Sequence, residues 1–176
     1  MKLLLLAGSG EARRIARVLA DMPNLDVIAS LAGATRKPAD IGVPTRVCGF
    51  GGRAGFETYL ADHAINAVLD ATHPFAARIT KRTALVCRAL ALSHAVVLRP
   101  EWTPEQGDDW RFMNDEGEAA NFVQPGSTVF LGTGVQGLEG FSTLKDCKII
   151  CRRIDEPRAP FPFANGRFLI GRPPFS

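Results

Sequence analysis

Gly8-Ser9-Gly10-Glu11-Ala12 follows four consecutive leucines and opens a stretch with helical spacing. Glycines at such a turn let the main chain approach a pyrophosphate, whose charge the exposed N–H groups and the helix dipole then hold. Arg13 stands where a dinucleotide fingerprint carries its third glycine, so the motif by itself also fits a plain strand-to-helix turn. The next apolar run ends in Ser30-Leu31-Ala32-Gly33-Ala34-Thr35-Arg36-Lys37. NAD enzymes place an acid here to bind ribose hydroxyls, and this stretch has none. Ser30, Thr35 and Arg36 suit a ribose 2′-phosphate instead, which favours NADP(H) over NAD or S-adenosylmethionine. A solvated basic loop would use the same residues.

Three further groups have the types to do chemistry. Cys48-Gly49-Phe50-Gly51-Gly52 offers glycines, Gly51 and Gly52 above all, for close backbone approach to a ligand or for a flexible turn. Asp70-Ala71-Thr72-His73-Pro74-Phe75-Ala76 falls beside the expected nicotinamide position. There Thr72 can cap a helix, His73 can donate a proton or shape the turn, and Asp70 reads more as an orienting hydrogen-bond partner than as an acid. Gly132-Thr133-Gly134 follows a later apolar run and could meet a substrate across an interdomain cleft, with Arg152, Arg153, Arg172 and Ser176 as carboxylate-binding groups. Ordinary loop structure explains that set equally well. His63, His73 and His94 show no metal-ligand spacing, and no CxxC occurs. Cys48, Cys87, Cys147 and Cys151 read as buried, reduced thiols.

These groups need a frame that brings them to one edge. Strands are expected at Lys2–Ala7, Asp26–Leu31, Thr45–Cys48, Asn66–Ala71 and Ala95–Leu98. Helices alternate with them: one after Glu11 ended by Pro23-Asn24, one marked by Phe56, Tyr59, Leu60 and His63, and one marked by Ile79, Thr83, Val86 and Leu90 and begun by Pro74. Alternating strands and helices imply a doubly wound parallel sheet, Rossmann-like, with ligands at the strands' carboxyl ends. Residues 1–99 form this NADP-binding domain. Residues 100–176 form a second, smaller α/β domain: helices near 115–123 and 136–143, strands Thr128–Leu131, Lys148–Arg152 and Arg167–Ile170. Its last residues, 171–176, read as a loop, so this domain is expected to continue further.

Composition narrows the function classes. The 176 residues are 46% hydrophobic and 22% charged, an ordinary globular balance. The Leu3–Leu6 run is too short for a secretory core and reads as a buried strand of a cytoplasmic protein, and no apolar run is long enough for a membrane helix. The first hundred residues hold 13 Lys/Arg and 7 Asp/Glu, a net +6, whereas the remainder holds 8 and 11, a net −3. Arg outnumbers Lys 16 to 5, which suits paired hydrogen bonds to phosphate or carboxylate. No basic run interleaved with aromatics points to nucleic acid. A monomer is expected.

Taken together, Gly8-Ser9-Gly10-Glu11-Ala12-Arg13, Ser30-Leu31-Ala32-Gly33 with Thr35, Gly49-Phe50-Gly51-Gly52, Asp70 to Ala76 and Arg99-Pro100-Glu101-Trp102 resemble the precorrin-6A reductase family of cobalamin biosynthesis. The resemblance runs along the whole chain in order, and the Asp70–Ala76 string is its most specific part. It implies NADPH-dependent reduction of a ring double bond, with hydride to carbon 19 and a proton to carbon 18, giving precorrin-6B. It also implies that Arg13 in place of the third glycine is a family feature, that the substrate is a polycarboxylate tetrapyrrole, and that the family tail continues past Ser176. The proton donor stays open between His73, Asp70 and water. A noncatalytic NADP-binding regulator is the alternative.

Overall fold

Leu3, Leu4, Leu5 and Leu6 leave β1 (Lys2–Ala7) without a polar face, so the strand is stable only if both sides are covered. The computed structural model describes residues 1–33, 40–135, 137–157 and 159–171, and both faces of β1 are buried in it. Contacts divide the chain into two units, Met1–Glu101 and Trp102–Ser176.

In the first unit β1 is followed by α1 (Gly10–Ala20), β2 (Asp26–Leu31), β3 (Thr45–Val47), α2 (Arg53–Asp62), β4 (Ala67–Ala71), α3 (Ala77–Ala89) and β5 (Ser93–Val96). The sheet order is β3-β2-β1-β4-β5, and every neighbouring pair is parallel. This is the doubly wound parallel sheet expected from the sequence. The chain winds outward from β1 through β2 to β3, then returns to build β4 and β5 on the other side. That reversal places a crevice at the carboxyl ends of β1 and β4.

Side-chain alternation along β1 feeds two cores. Leu3 and Leu5 pack with Val27, Ala29 and the small residues Ala12 and Ala16 of α1. Leu4 and Leu6 pack with Val68, with Phe56 and Leu60 of α2, and with Val86 and Cys87 of α3. Burying one leucine stabilises by roughly 1.5–3 kcal/mol, so β1 is the strand on which both layers depend.

The second unit holds a parallel three-stranded sheet in the order β6 (Thr128–Leu131), β7 (Lys148–Arg153), β8 (Gly166–Ile170). Leu131, Phe141, Ile149 and Cys151 are among its buried core.

Several boundaries differ from expectation; by one residue each, β3 ends at Val47, β4 starts at Ala67, β7 ends at Arg153 and β8 starts at Gly166. Pro74 does not begin α3; the Ala76 amide donates to the His73 carbonyl at 2.8 Å, closing a turn around Pro74, and the helix starts at Ala77. Strand β5 is Ser93–Val96, two residues earlier than the apolar run. It is an edge strand paired only to β4, so polar Ser93 and His94 can occupy it. The helices near 115–123 and 136–143 are six-residue 3₁₀ helices, Glu116–Asn121 and Leu138–Thr143. Gly137, with φ 76°, bars helical backbone ahead of the second, and the Glu116 side chain fills the space where a Cβ on Gly137 or Gly140 would sit.

Candidate functional site

The turn between β1 and α1 is held by one hydroxyl. Ser9 Oγ accepts from the Ala12 amide at 3.1 Å, capping the helix, and donates to the Ala71 carbonyl at 2.9 Å at the end of β4. A Cβ on Gly8 would lie 3.5 Å from the His73 nitrogen and 3.6 Å from Thr72 Cα, so β1 and β4 meet there at van der Waals distance. Gly10, Gly51 and Gly52 face open space, with nothing within 4 Å of a built Cβ. Gly51 and Gly52 have φ of 72° and 99°, backbone that glycine adopts freely.

Glu11 lies in the first turn of α1 and makes a 3.5 Å ion pair with Arg14. Its own peptide N–H holds its carboxyl below the usual range, helped by Arg99 and Arg14.

At the end of β4, Asp70 is 1% exposed. Its Oδ1 accepts from the Thr72 amide at 3.0 Å and from the Thr72 hydroxyl at 2.6 Å. Thr72 therefore does not cap α3; its hydroxyl is spent on Asp70, and α3 has no side-chain cap. Asp70 Oδ2 is buried with no hydrogen-bond partner among the described residues. His73 is exposed, its Nδ1 accepts from the Phe75 amide at 3.3 Å, and its Nε2 lies 3.5 Å from an Arg99 nitrogen.

The β2–β3 edge holds a residue that sequence reasoning missed. Register pairs Ser30 with Arg46. The Arg46 guanidinium donates to Ser30 Oγ at 2.8 Å, to the Cys48 carbonyl at 2.9 Å and to the Gly49 carbonyl at 3.2 Å. It also lies 4.1 Å over the Phe50 ring and 4.8 Å over Tyr59. Ser30 is thus buried behind a cation that also shapes the Gly49–Gly52 loop. The signal in the sequence was a lone Arg three residues before that loop, but assigning it required knowing which strands are neighbours.

Gly132, Thr133 and Gly134 follow β6 in the second unit, where the Gly134 carbonyl accepts from the buried Cys151 thiol at 3.1 Å. Thr35, Arg36, Arg172 and Ser176 lie outside the described residues. Cys87, Cys147 and Cys151 are buried free thiols, but Cys48 is exposed, because it sits past the end of short β3. Also in the first unit is a cleft of about 280 Å³ lined by Thr72, His73, Thr80, Lys81, Val97 and Leu98 among others.

The fold and its crevice define the class: a doubly wound, Rossmann-like α/β protein. The family model described as Precorrin-6x reductase CbiJ/CobK matches residues 2–176. A precorrin-6A reductase of Rhodococcus erythropolis is 37% identical over 176 residues, spanning 99% of this chain and 71% of that protein. One of Rhodobacter capsulatus is also 37% identical, spanning 99% of this chain and 70% of that protein. A solved structure titled CobK precorrin-6A reductase superposes with a TM-score of 0.91 at 35% identity, covering 100% of this chain and 70% of that one. The chain belongs to the precorrin-6x reductase family, a family of oxidoreductases, as the sequence motifs implied.

Proposed function

We propose that this protein reduces a ring double bond of precorrin-6A with NADPH, giving precorrin-6B. The observation that carries the reading is the close approach of the turn after β1 to the turn after β4, where a Cβ on Gly8 would lie 3.5 Å from the His73 backbone nitrogen, in a chain matching this family over residues 2–176. The open space over Gly10, Gly51 and Gly52 fits a dinucleotide whose phosphates need main-chain amides and no side chain in the way. When bound, NADPH supplies the hydride; a proton completes the addition across the double bond and NADP⁺ is left.

The chain's residues divide the remaining work. The amides at Gly8, Ser9, Gly10 and Glu11 receive the pyrophosphate, while the Ala12 amide is already taken by Ser9 Oγ. Thr35 and Arg36 take the ribose 2′-phosphate; Ser30 is 5% exposed and its Oγ accepts from Arg46, so it supports the β2–β3 edge instead of meeting the phosphate. His73 is exposed in the turn after β4 and, as its imidazolium, serves as the proton donor. Asp70 is buried, so it acts through Thr72 as a positioning residue. Gly132, Thr133 and Gly134 with Arg172 and Ser176 contribute substrate contacts from the second unit. All four cysteines are free thiols, which supports a reducing compartment, the cytoplasm. No helix among the described residues is long and apolar enough to cross a membrane.

The test is anaerobic incubation with precorrin-6A and NADPH or NADH, following nicotinamide absorbance. Oxidation of NADPH with formation of precorrin-6B is expected, with NADH much slower. Tight NADPH binding without oxidation would leave the binding regulator. Equal rates with NADH would remove the 2′-phosphate assignment.

A further inference from the structure

The cleft beside His73 contains a cation that the coenzyme reading does not use. It is lined by the residues following β4, by the first turns of α3, and by the end of β5 with the residues that follow it. Thr80 and Lys81 line it from α3, and Val97 and Leu98 from the segment after β5. Lys81 is exposed, and among the described residues no carboxylate pairs with it. Leu98 is 71% exposed and Phe75, next to the cleft residue Pro74, is 89% exposed. Large apolar side chains so exposed beside a cleft mark a surface that a ligand covers.

We propose that this cleft is a substrate subsite in which Lys81 grips a carboxylate of the tetrapyrrole while Leu98 and Phe75 support the apolar face of the macrocycle. The assignment rests on the reductase reading above and adds the substrate's place on the first unit. Two occupants compete for the space. A nicotinamide ring becomes positively charged when it gives up hydride, and an ammonium without an acid beside it would oppose that charge. A polycarboxylate gains from the same ammonium, and the Thr80 hydroxyl can complete the carboxylate's hydrogen bonds. Because His73 lines the same cleft, the subsite holds the substrate next to the proposed proton donor.

Lys81→Met keeps the apolar stem and removes the charge. Being exposed, the position should tolerate it without loss of fold. Expected is a rise of about tenfold in KM for precorrin-6A, the weight of one charge-assisted hydrogen bond, with kcat changed less and NADPH Kd unchanged. Lys81→Arg should restore KM. A second measurement does not depend on turnover: binding of a stable, fully carboxylated porphyrin should weaken about tenfold in the Met variant, whereas its permethyl ester should bind both proteins alike. Unchanged KM and porphyrin affinity would overturn the subsite. So would a parallel loss of NADPH affinity, which would give the cleft to the coenzyme. If the wild-type protein fails to reduce precorrin-6A, the reductase reading falls, and porphyrin binding still decides whether Lys81 grips a carboxylate.

Discussion

Glu11 puts a carboxylate where a helix collects partial positive charge and where a pyrophosphate is proposed to bind. Its own peptide N–H and the guanidinium groups of Arg99 and Arg14 favour the ionised form, so a bound phosphate competes with it for the same donors. Glu11→Gln removes the competing charge at nearly constant size. NADPH is expected to bind about two- to fivefold tighter by titration calorimetry; weaker binding would instead make Glu11 a group that positions the coenzyme. The same substitution has a pH signature. The folded-state pKa is lowered, so the stabilisation is present above the unfolded carboxyl value and lost as pH falls through the lower folded value. The urea midpoint of the Gln variant should therefore fall less than that of the wild type between about pH 5 and 3. The residue types of this site were open to reading from the chain, since glycines, hydroxyls and His73 announce themselves by chemistry. Arg46 and Lys81 were not, because each acquires meaning only from what the fold brings beside it: Ser30 one strand over, Leu98 in the same cleft.

The loop at residues 49–52 folds back onto α2, and one missing side chain permits it. A Cβ on Gly55 would run into the Phe50 carbonyl oxygen. Phe50 is held there by edge contacts to Phe56 at 4.8 Å and Tyr59 at 5.2 Å between ring centres. Gly55→Ala sets two effects against each other. Helix propensity favours alanine by about 1 kcal/mol, but overpacking against a fixed backbone atom costs about 1–3 kcal/mol. The clash should win because the obstacle is main chain anchored by two rings. A lower thermal midpoint is the expected result, and a higher one would show that the loop yields. Gly55 illustrates why some of this fold was hidden. Within the helix it reads as a weak position, and only the return of Phe50 makes it necessary. Strands β1, β2 and β6 were legible to the residue, because continuous apolar runs bounded by glycine, proline or charge leave little freedom. Strand β5 was misplaced because an edge strand need not be apolar, and α3 was started too early because a proline inside a turn looks like a proline at a first helical position.

Each unit has its own interior, and the four thiols sit so as to report on them separately. Cys87 is buried in the first unit, among residues such as Leu4, Phe56 and Val86. Cys147 and Cys151 are buried in the second, with Leu131, Phe141 and Ile149. Cys48 is exposed. Burial also pushes the Cys87 and Cys151 thiols up, so both access and ionisation protect them from alkylation in the native state. The interiors are unequal. Among the described residues the first unit has two clusters, one on each face of a five-stranded sheet, and the second has one cluster against a three-stranded sheet. Unfolding exposes area in proportion to what was buried, and a smaller core leaves a smaller margin over chain entropy. Alkylation followed by mass spectrometry across a urea series should therefore show Cys48 modified without denaturant, Cys147 and Cys151 modified together at an intermediate concentration, and Cys87 last. A single midpoint shared by Cys87, Cys147 and Cys151 would mean that the two units unfold as one cooperative body. If the order holds, NADPH should raise the Cys87 midpoint, because a ligand that binds only the folded form stabilises the unit that holds it.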